Sequence, residues 1–183
     1  YVYVSFSGGK DSGVLLNLCV EYVRRNFPGR KLGVVHLDYE AQYSQTTEYV
    51  AARLAEDSDI LEVYHCCVPF KVTTCTSMYQ SYWRPWEESR KELWVRNMPE
   101  NCYTADDFDF FSDRLWDYDF HRLFAQWLRQ RKQAGRVCCL VGIRTQESYN
   151  RWRTIHSSRN YRHFGSAKWI HMMGGDVFNA YPI

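Results

Sequence analysis

The residues best suited to chemistry form one short run near the start of the chain. In order they are Ser7, Gly8, Gly9, Lys10, Asp11 and Ser12. The two glycines let backbone N–H groups turn toward an anion without a Cβ in the way. Lys10 adds a full positive charge, and the hydroxyls of Ser7 and Ser12 can donate hydrogen bonds to phosphate oxygens. The run therefore predicts a phosphate-binding loop or, in the simpler alternative, a turn in which Asp11 or Ser12 caps the next helix.

Two arginines, Arg144 and Arg151, follow the apolar run Val137–Ile143. A guanidinium can hold a sulfate or phosphate through two parallel hydrogen bonds. Ligands of open α/β sheets bind at the carboxyl ends of the strands, which favours a binding role for both arginines. The alternative is a surface ion pair with Glu147 or with the acidic segment 100–119.

Asp38 ends another apolar run, Leu32–Leu37, and is expected at the same edge of the sheet. A metal or ribose contact and a simple cap of a helix or turn are equally good interpretations of this residue. His36, two residues earlier, is expected to be a core or pocket-lining histidine. No two histidines have the spacing of a zinc site on a helix.

These residues must be positioned by strands and helices that alternate along the chain. Strands are predicted at the runs Tyr1–Phe6, Leu32–Leu37, Ile60–Tyr64 and Val137–Ile143. Helices are predicted at Val14–Val23, Ser44–Ala55 and Phe120–Leu128, where apolar residues recur at helical spacing. Because the strands are apolar without alternation, we expect an α/β fold: a parallel, twisted sheet flanked by helices on both faces.

Length and composition exclude several classes of protein. The 183 residues suit a single domain, 1–183, and 45% hydrophobic with 24% charged residues excludes a disordered chain. No apolar run approaches the ~18 residues of a membrane span. The seven scattered cysteines form no regular framework and no signal peptide is visible, which indicates a reducing, cytoplasmic compartment. The chain begins without Met, so we expect a piece of a longer protein.

The segment 75–119 breaks the alternation and is predicted to be a Trp-rich, mainly helical insertion within the domain. Its tryptophans and tyrosines stand beside arginines and lysines, a mixture that can stack bases and neutralise phosphates. Equally, it can form a small satellite core covered by the stems of the cations. The basic stretch 144–171 could receive nucleic acid or another anion, or attract the acidic segment 100–119.

The run from Ser7 to Ser12 resembles the pyrophosphate loop, Ser-Gly-Gly-x-Asp-Ser, of the ATP-pyrophosphatase (PP-loop) superfamily. The segment 142–151 resembles the Gly-x-Arg-Arg-x-Glu-Ser-x-x-Arg signature of its sulfate-assimilating members, which include phosphoadenylyl-sulfate (PAPS) reductases and ATP sulfurylase small subunits. The matching residues are Gly142, Arg144, Glu147, Ser148 and Arg151, while Thr145 replaces the second arginine. Asp38 with Thr46–Tyr49, and the final Tyr181–Ile183, are similar to further parts of these proteins. The insertion is most similar to that of reductase-like immunoglobulin-binding regulator A proteins.

This resemblance implies an adenine-nucleotide site for ATP or PAPS. The binding residues that it implies are Ser5, Ser7, Gly8, Gly9, Lys10, Asp11, Ser12, Asp38, Gly142, Arg144, Glu147 and Arg151. Lys10, Asp11 and Arg144 would be catalytic, and Asp11 and Asp38 would hold Mg²⁺ if the nucleotide is ATP. The first implied activity is cleavage of the α–β phosphate bond of ATP, to activate a substrate in sulfur or nucleic-acid metabolism.

Two other functions agree with the same resemblance. One is reduction of PAPS or adenylyl sulfate by a thiol, and the other is a catalytically degenerate nucleotide sensor acting with a ParB-like partner. The reductases use a cysteine in a Glu-Cys-Gly context or an iron–sulfur cluster with a Cys-x-x-Cys, and neither motif occurs here. Cys138 and Cys139 lie in an apolar strand and are expected in the core, so a cluster is not expected. Cys66 and Cys67 are expected to be structural.

Overall fold

The computed structural model describes residues 1–74, 76–156 and 162–182. Its strands are β1 (Val2–Ser5), β2 (Leu32–Leu37), β3 (Leu61–Cys66), β4 (Val72–Thr73), β5 (Tyr82–Trp83), β6 (Val137–Val141), β7 (Arg162–Phe164), β8 (Ala167–Gly174) and β9 (Val177–Ala180). Its α-helices are α1 (Lys10–Asn26), α2 (Ser44–Glu56), α3 (Asp117–Arg131) and α4 (Tyr149–His156). The predicted strands and helices are all present in this part of the chain, with ends that differ by a few residues.

Seven of these strands form one sheet in the order β3-β2-β1-β6-β9-β8-β7. The pairs from β3 to β9 are parallel, as predicted, whereas β8 pairs antiparallel with both β9 and β7. The sheet is therefore parallel except at one edge. A tight turn at Gly174, Gly175 and Asp176, all with positive φ, returns β8 directly onto β9. The sequence analysis predicted the parallel part of the sheet and did not include this antiparallel edge, which forms because a turn this short can join only antiparallel strands.

Helices cover both faces of the sheet, as the apolar strands predicted. Neighbouring residues of β1 point to opposite faces: Val4 packs with α1 and α2, and Tyr3 packs with α3. The same alternation places Cys139 in the core on the α3 face, while Cys138 is partly exposed. The prediction that both cysteines lie in the core is therefore confirmed for Cys139, whereas Cys138 is only partly buried.

The insertion differs from the prediction in its secondary structure. Apart from Cys75, where the predicted segment begins and which lies outside the described residues, it is mostly loop. It contains β5 and two short 3-10 helices, Glu88–Leu93 and Ala105–Asp107. Pro85 and Pro99 remove backbone donors, and Trp86 has a left-handed φ of 54°, so long helical runs do not form. Trp86 is 2% exposed and packs edge-on against Trp94, as a satellite core would.

Among the described residues, no helix combines the length and the apolar character that crossing a membrane requires.

Candidate functional site

The predicted phosphate loop lies between the carboxyl end of β1 and the first turn of α1. Gly9 is the N-cap of α1, and no side chain caps the helix. The Ser12 hydroxyl instead donates to the carbonyl of Gly9 over 2.9 Å and lies 3.1 Å from the Ser7 hydroxyl. The helix dipole and the first-turn N–H groups are therefore left to an anion rather than to a carboxylate cap. Lys10, the first residue of α1, is exposed beside them.

The three glycines of the site, Gly8, Gly9 and Gly142, do not all have the same structural role. Gly8 has a φ of +79°, and a Cβ there would come within 2.7 Å of Val50 Cγ2 in α2. Gly9 has an ordinary φ of −80°, and a Cβ there would meet only Ser7 Oγ, at 3.4 Å. Gly142 lies so close to α1 that a Cβ would be 3.0 Å from backbone atoms of Asp11. Gly8 and Gly142 thus set the backbone of the loop, while Gly9 is free to approach a ligand.

The arginines of the 142–151 segment form a connected set with two carboxylates. Arg144 Nε donates to Asp11 Oδ2 over 2.9 Å, which joins the end of β6 to the first turn of α1. Glu147 accepts the backbone N–H of Arg144 over 3.1 Å and pairs with the guanidinium of Arg151. Both arginine side chains remain 44% exposed. The ion pair expected as the alternative is formed with Glu147, and Arg144 is held beside the phosphate loop at the same time.

The remaining predicted features are Ser5 and the basic stretch 144–171. Ser5 is the last residue of β1, in register with Val35 and Val141, and is half-buried. Arg159, in the basic stretch, lies outside the described residues. Within the part of the chain that the structure describes, no ion pair joins the basic stretch to the acidic segment 100–119, where Asp113 pairs with Arg84 instead.

Asp38 lies in a different environment from Asp11. Its carboxylate accepts the backbone N–H of Glu40 over 2.8 Å and pairs with Arg96 through Oδ1, while Oδ2 lies 2.8 Å from His65 Nε2. Burial favours a raised pKa for Asp38, but the hydrogen bonds from His65 and Arg96 outweigh it and hold the pKa well below its usual range. Asp38 is therefore an anion whose two carboxylate oxygens both have hydrogen-bond partners.

Two histidines lie beside Asp38, and their nitrogen atoms do not suit the predicted Mg²⁺. His36 and His65 are register partners on β2 and β3, and their ring centroids are 5.1 Å apart. Burial lowers the pKa of His36 to about 4, so its imidazole is neutral at physiological pH. Mg²⁺ prefers oxygen ligands and retained waters. Neither Asp11, paired with Arg144, nor Asp38, among nitrogen donors, fits the predicted Mg²⁺ site.

Glu40 and His65 are site residues that the sequence analysis missed. Glu40 is buried with a φ of +62°, and its carboxylate accepts the backbone N–H groups of Trp86 and Val95. The Trp86 indole N–H donates to the carbonyl of Asp38 over 2.9 Å. The insertion is thus anchored on the end of β2. A signal for His65 was available, because a His-x-Asp at one strand end and a histidine at the next predict convergence at one edge.

The described cysteines are poor nucleophiles, which bears on any reductase activity. Burial raises the pKa of Cys19 to about 11 and that of Cys139 to about 12. Burial also raises the pKa of the remaining four, which are Cys66, Cys67, Cys102 and Cys138. The thiolate is the reactive form of cysteine, so none of these six is activated as a redox thiol.

Comparison with known proteins identifies a family model and a relative that match this chain. The model of the phosphoadenosine phosphosulfate reductase domain matches residues 1–163. The Escherichia coli (strain K12) protein YbdN, itself uncharacterized, is 37% identical over 185 residues, which cover 100% of this chain. The chain spans 44% of the length of YbdN. The matched region includes the phosphate loop, Asp38 and both arginines.

Proposed function

This chain belongs to the phosphoadenosine phosphosulfate reductase domain family, which binds nucleotides, and we propose that it binds ATP with its phosphates on the loop Ser7–Ser12. The main support for the proposal is the arrangement of residues at the start of α1. Its N-cap is a glycine without a side-chain cap, with Lys10 exposed next to it and Arg144 held 2.9 Å from Asp11. Backbone donors, a helix dipole, Lys10 and Arg144 at the end of β1 support the placement of a pyrophosphate there.

The proposed reaction is cleavage of the α–β phosphate bond of ATP. An oxygen of the second substrate attacks the α-phosphorus, the bridging P–O bond breaks, and pyrophosphate leaves with the electron pair. Lys10 and the loop N–H groups stabilise the charge on the leaving pyrophosphate, and Arg144 orients the α-phosphate. In this mechanism the protein positions the two substrates and stabilises the negative charge of the leaving group, and no side chain forms a covalent bond to the nucleotide.

Sulfonucleotide reduction is the second candidate, and the family match favours it. In that reaction a thiolate attacks the sulfur of PAPS, the S–O bond breaks, and adenosine 3′,5′-bisphosphate leaves. The raised pKa values of the six described cysteines mean that the thiol would have to come from outside the described residues. A sensor that binds nucleotide without turnover, with a ParB-like partner or nucleic acid, would use the same loop.

Equilibrium binding of ATP, AMP and PAPS, beside an assay of pyrophosphate release, tests the proposal. Wild type is compared with Arg144→Ala and with Arg25→Ala, a control whose exposed arginine pairs with Glu21 at the far end of α1. We expect Arg144→Ala to slow pyrophosphate release more than it weakens ATP binding, because its charge matters most in the transition state. Tight PAPS binding that weakens by ~2–4 kcal/mol in Arg144→Ala, without pyrophosphate release, would favour the reductase instead.

A further inference from the structure

We propose that His36, Asp38 and His65 form a binding site for a first-row transition metal ion, with Zn²⁺ the best match. One ligand atom from each residue lies within 4.8 Å of the other two. His36 and Asp38 are 1% exposed, and the His65 side chain is 21% exposed. Two imidazoles and one carboxylate are the ligand set of zinc and of related divalent ions, whereas Mg²⁺ is held by oxygens.

The strands fix these three residues at one point. His36 and His65 are directly paired on parallel strands, so their side chains leave the sheet on the same face at the same level. Asp38 follows His36 by two residues, which returns its side chain to that face. Two of the three ligands therefore lie on strands of the sheet and the third directly follows β2, so the sheet backbone fixes their positions, as a preformed metal site requires.

Hydrogen bonds to the outer atoms orient the ligands. His36 Nδ1 lies 2.8 Å from the carbonyl of Phe6, which can only accept, so Nδ1 carries the proton and Nε2 keeps its lone pair. Metal-binding histidines almost always donate their other N–H in this way. Asp38 Oδ1 is used by Arg96 and by the N–H of Glu40, while Oδ2 faces His65 Nε2.

A metal ion would take the place of the proton between His65 and Asp38. Their facing atoms are 2.8 Å apart, so a small opening of this pair reaches the ~3.3 Å separation of two tetrahedral ligands with bonds of ~2.0–2.1 Å to one ion. On binding, the Nε2 proton of His65 is released or moves to Nδ1. Three protein ligands leave a coordination position open, as in catalytic zinc sites. Phe6 directly precedes the phosphate loop, so the ion would lie beside the proposed nucleotide site.

Titration of the tag-free protein with Zn²⁺ and Co²⁺ alone tests this site without an activity assay. We expect one equivalent to bind and to raise Tm, and Co²⁺ to give visible d–d bands without thiolate charge-transfer bands. His65→Gln, at the more exposed position, and His36→Gln should lower the affinity at least ~100-fold. His156→Gln, at the end of α4, should bind as wild type does. No stoichiometric binding, thiolate bands, or unchanged affinity in a folded His65→Gln would overturn the proposal.

Discussion

Replacing Gly8 by alanine should destabilise the protein and distort the phosphate loop. The backbone of Gly8 is left-handed, which costs an alanine ~1–2 kcal/mol. Its new Cβ would lie 2.7 Å from Val50 Cγ2 and 3.1 Å from Thr46 Cγ2, and such overpacking costs ~1–3 kcal/mol. A combined loss of about 3 kcal/mol lowers Tm by roughly 6–12 °C in a chain of this length.

The matched control is Gly9→Ala, which adds the same methyl group one residue later. Gly9 has an ordinary φ of −80°, and its Cβ would touch only Ser7 Oγ, at 3.4 Å. Its free energy of unfolding should stay within about 1 kcal/mol of wild type, because alanine at a compatible position is neutral or slightly stabilising. Thermal and urea denaturation of both variants measure the difference. If both variants melt at the same temperature, the different roles given to the two glycines are wrong.

Three further predictions concern Gly142, Cys19 and Glu147. In Gly142→Ala the new Cβ should push against the backbone of Asp11 and displace the first turn of α1. The free energy of unfolding in urea should fall by ~1–3 kcal/mol, and ATP binding should weaken. Unchanged values for both would contradict the close packing. Cys19, with a pKa of about 11, should be only about one-thousandth thiolate at pH 8, so iodoacetamide should alkylate it ~200-fold more slowly than an ordinary thiol. The alkylation rate should rise about tenfold for each pH unit up to pH 10. Rapid labelling at pH 8, measured by mass spectrometry, would refute this. Glu147→Gln should loosen Arg151 and raise KM for ATP more than it lowers kcat, whereas a pure loss of kcat would place Glu147 in the chemical step.

Local patterns in the sequence predicted much of this fold, because its loops, strands and helices depend on residues that are close together along the chain. The Ser-Gly-Gly run between an apolar strand and an amphipathic helix predicted the loop of β1 and α1. The uniformly apolar strands predicted a sheet with helices on both faces, and the two clusters around Tyr3 and Val4 confirm it. The missed antiparallel edge also had a local signal, the Gly-Gly-Asp turn after β8.

The surroundings of Asp38 could not be predicted in the same way. Its partner Arg96 lies 58 residues away in a segment with several other cations, and nothing in the sequence selects that one. The contacts of Trp86 with Asp38 and Glu40 also join residues that are 48 and 46 positions apart. Such contacts follow from how the insertion folds over the sheet edge, and an irregular loop has no periodicity that would indicate its path.

Calorimetric titration with ATP most directly tests whether the loop Ser7–Ser12 binds a nucleotide. The double variant Gly9→Ala/Lys10→Ala alters the loop at two exposed positions, one with an ordinary backbone conformation, so circular dichroism should show an unchanged fold. Loss of the Lys10 charge and of close approach at Gly9 should weaken ATP binding by at least ~10–100-fold. Equal affinity for ATP in the wild type and the folded double variant would contradict the assignment of this loop as the phosphate site.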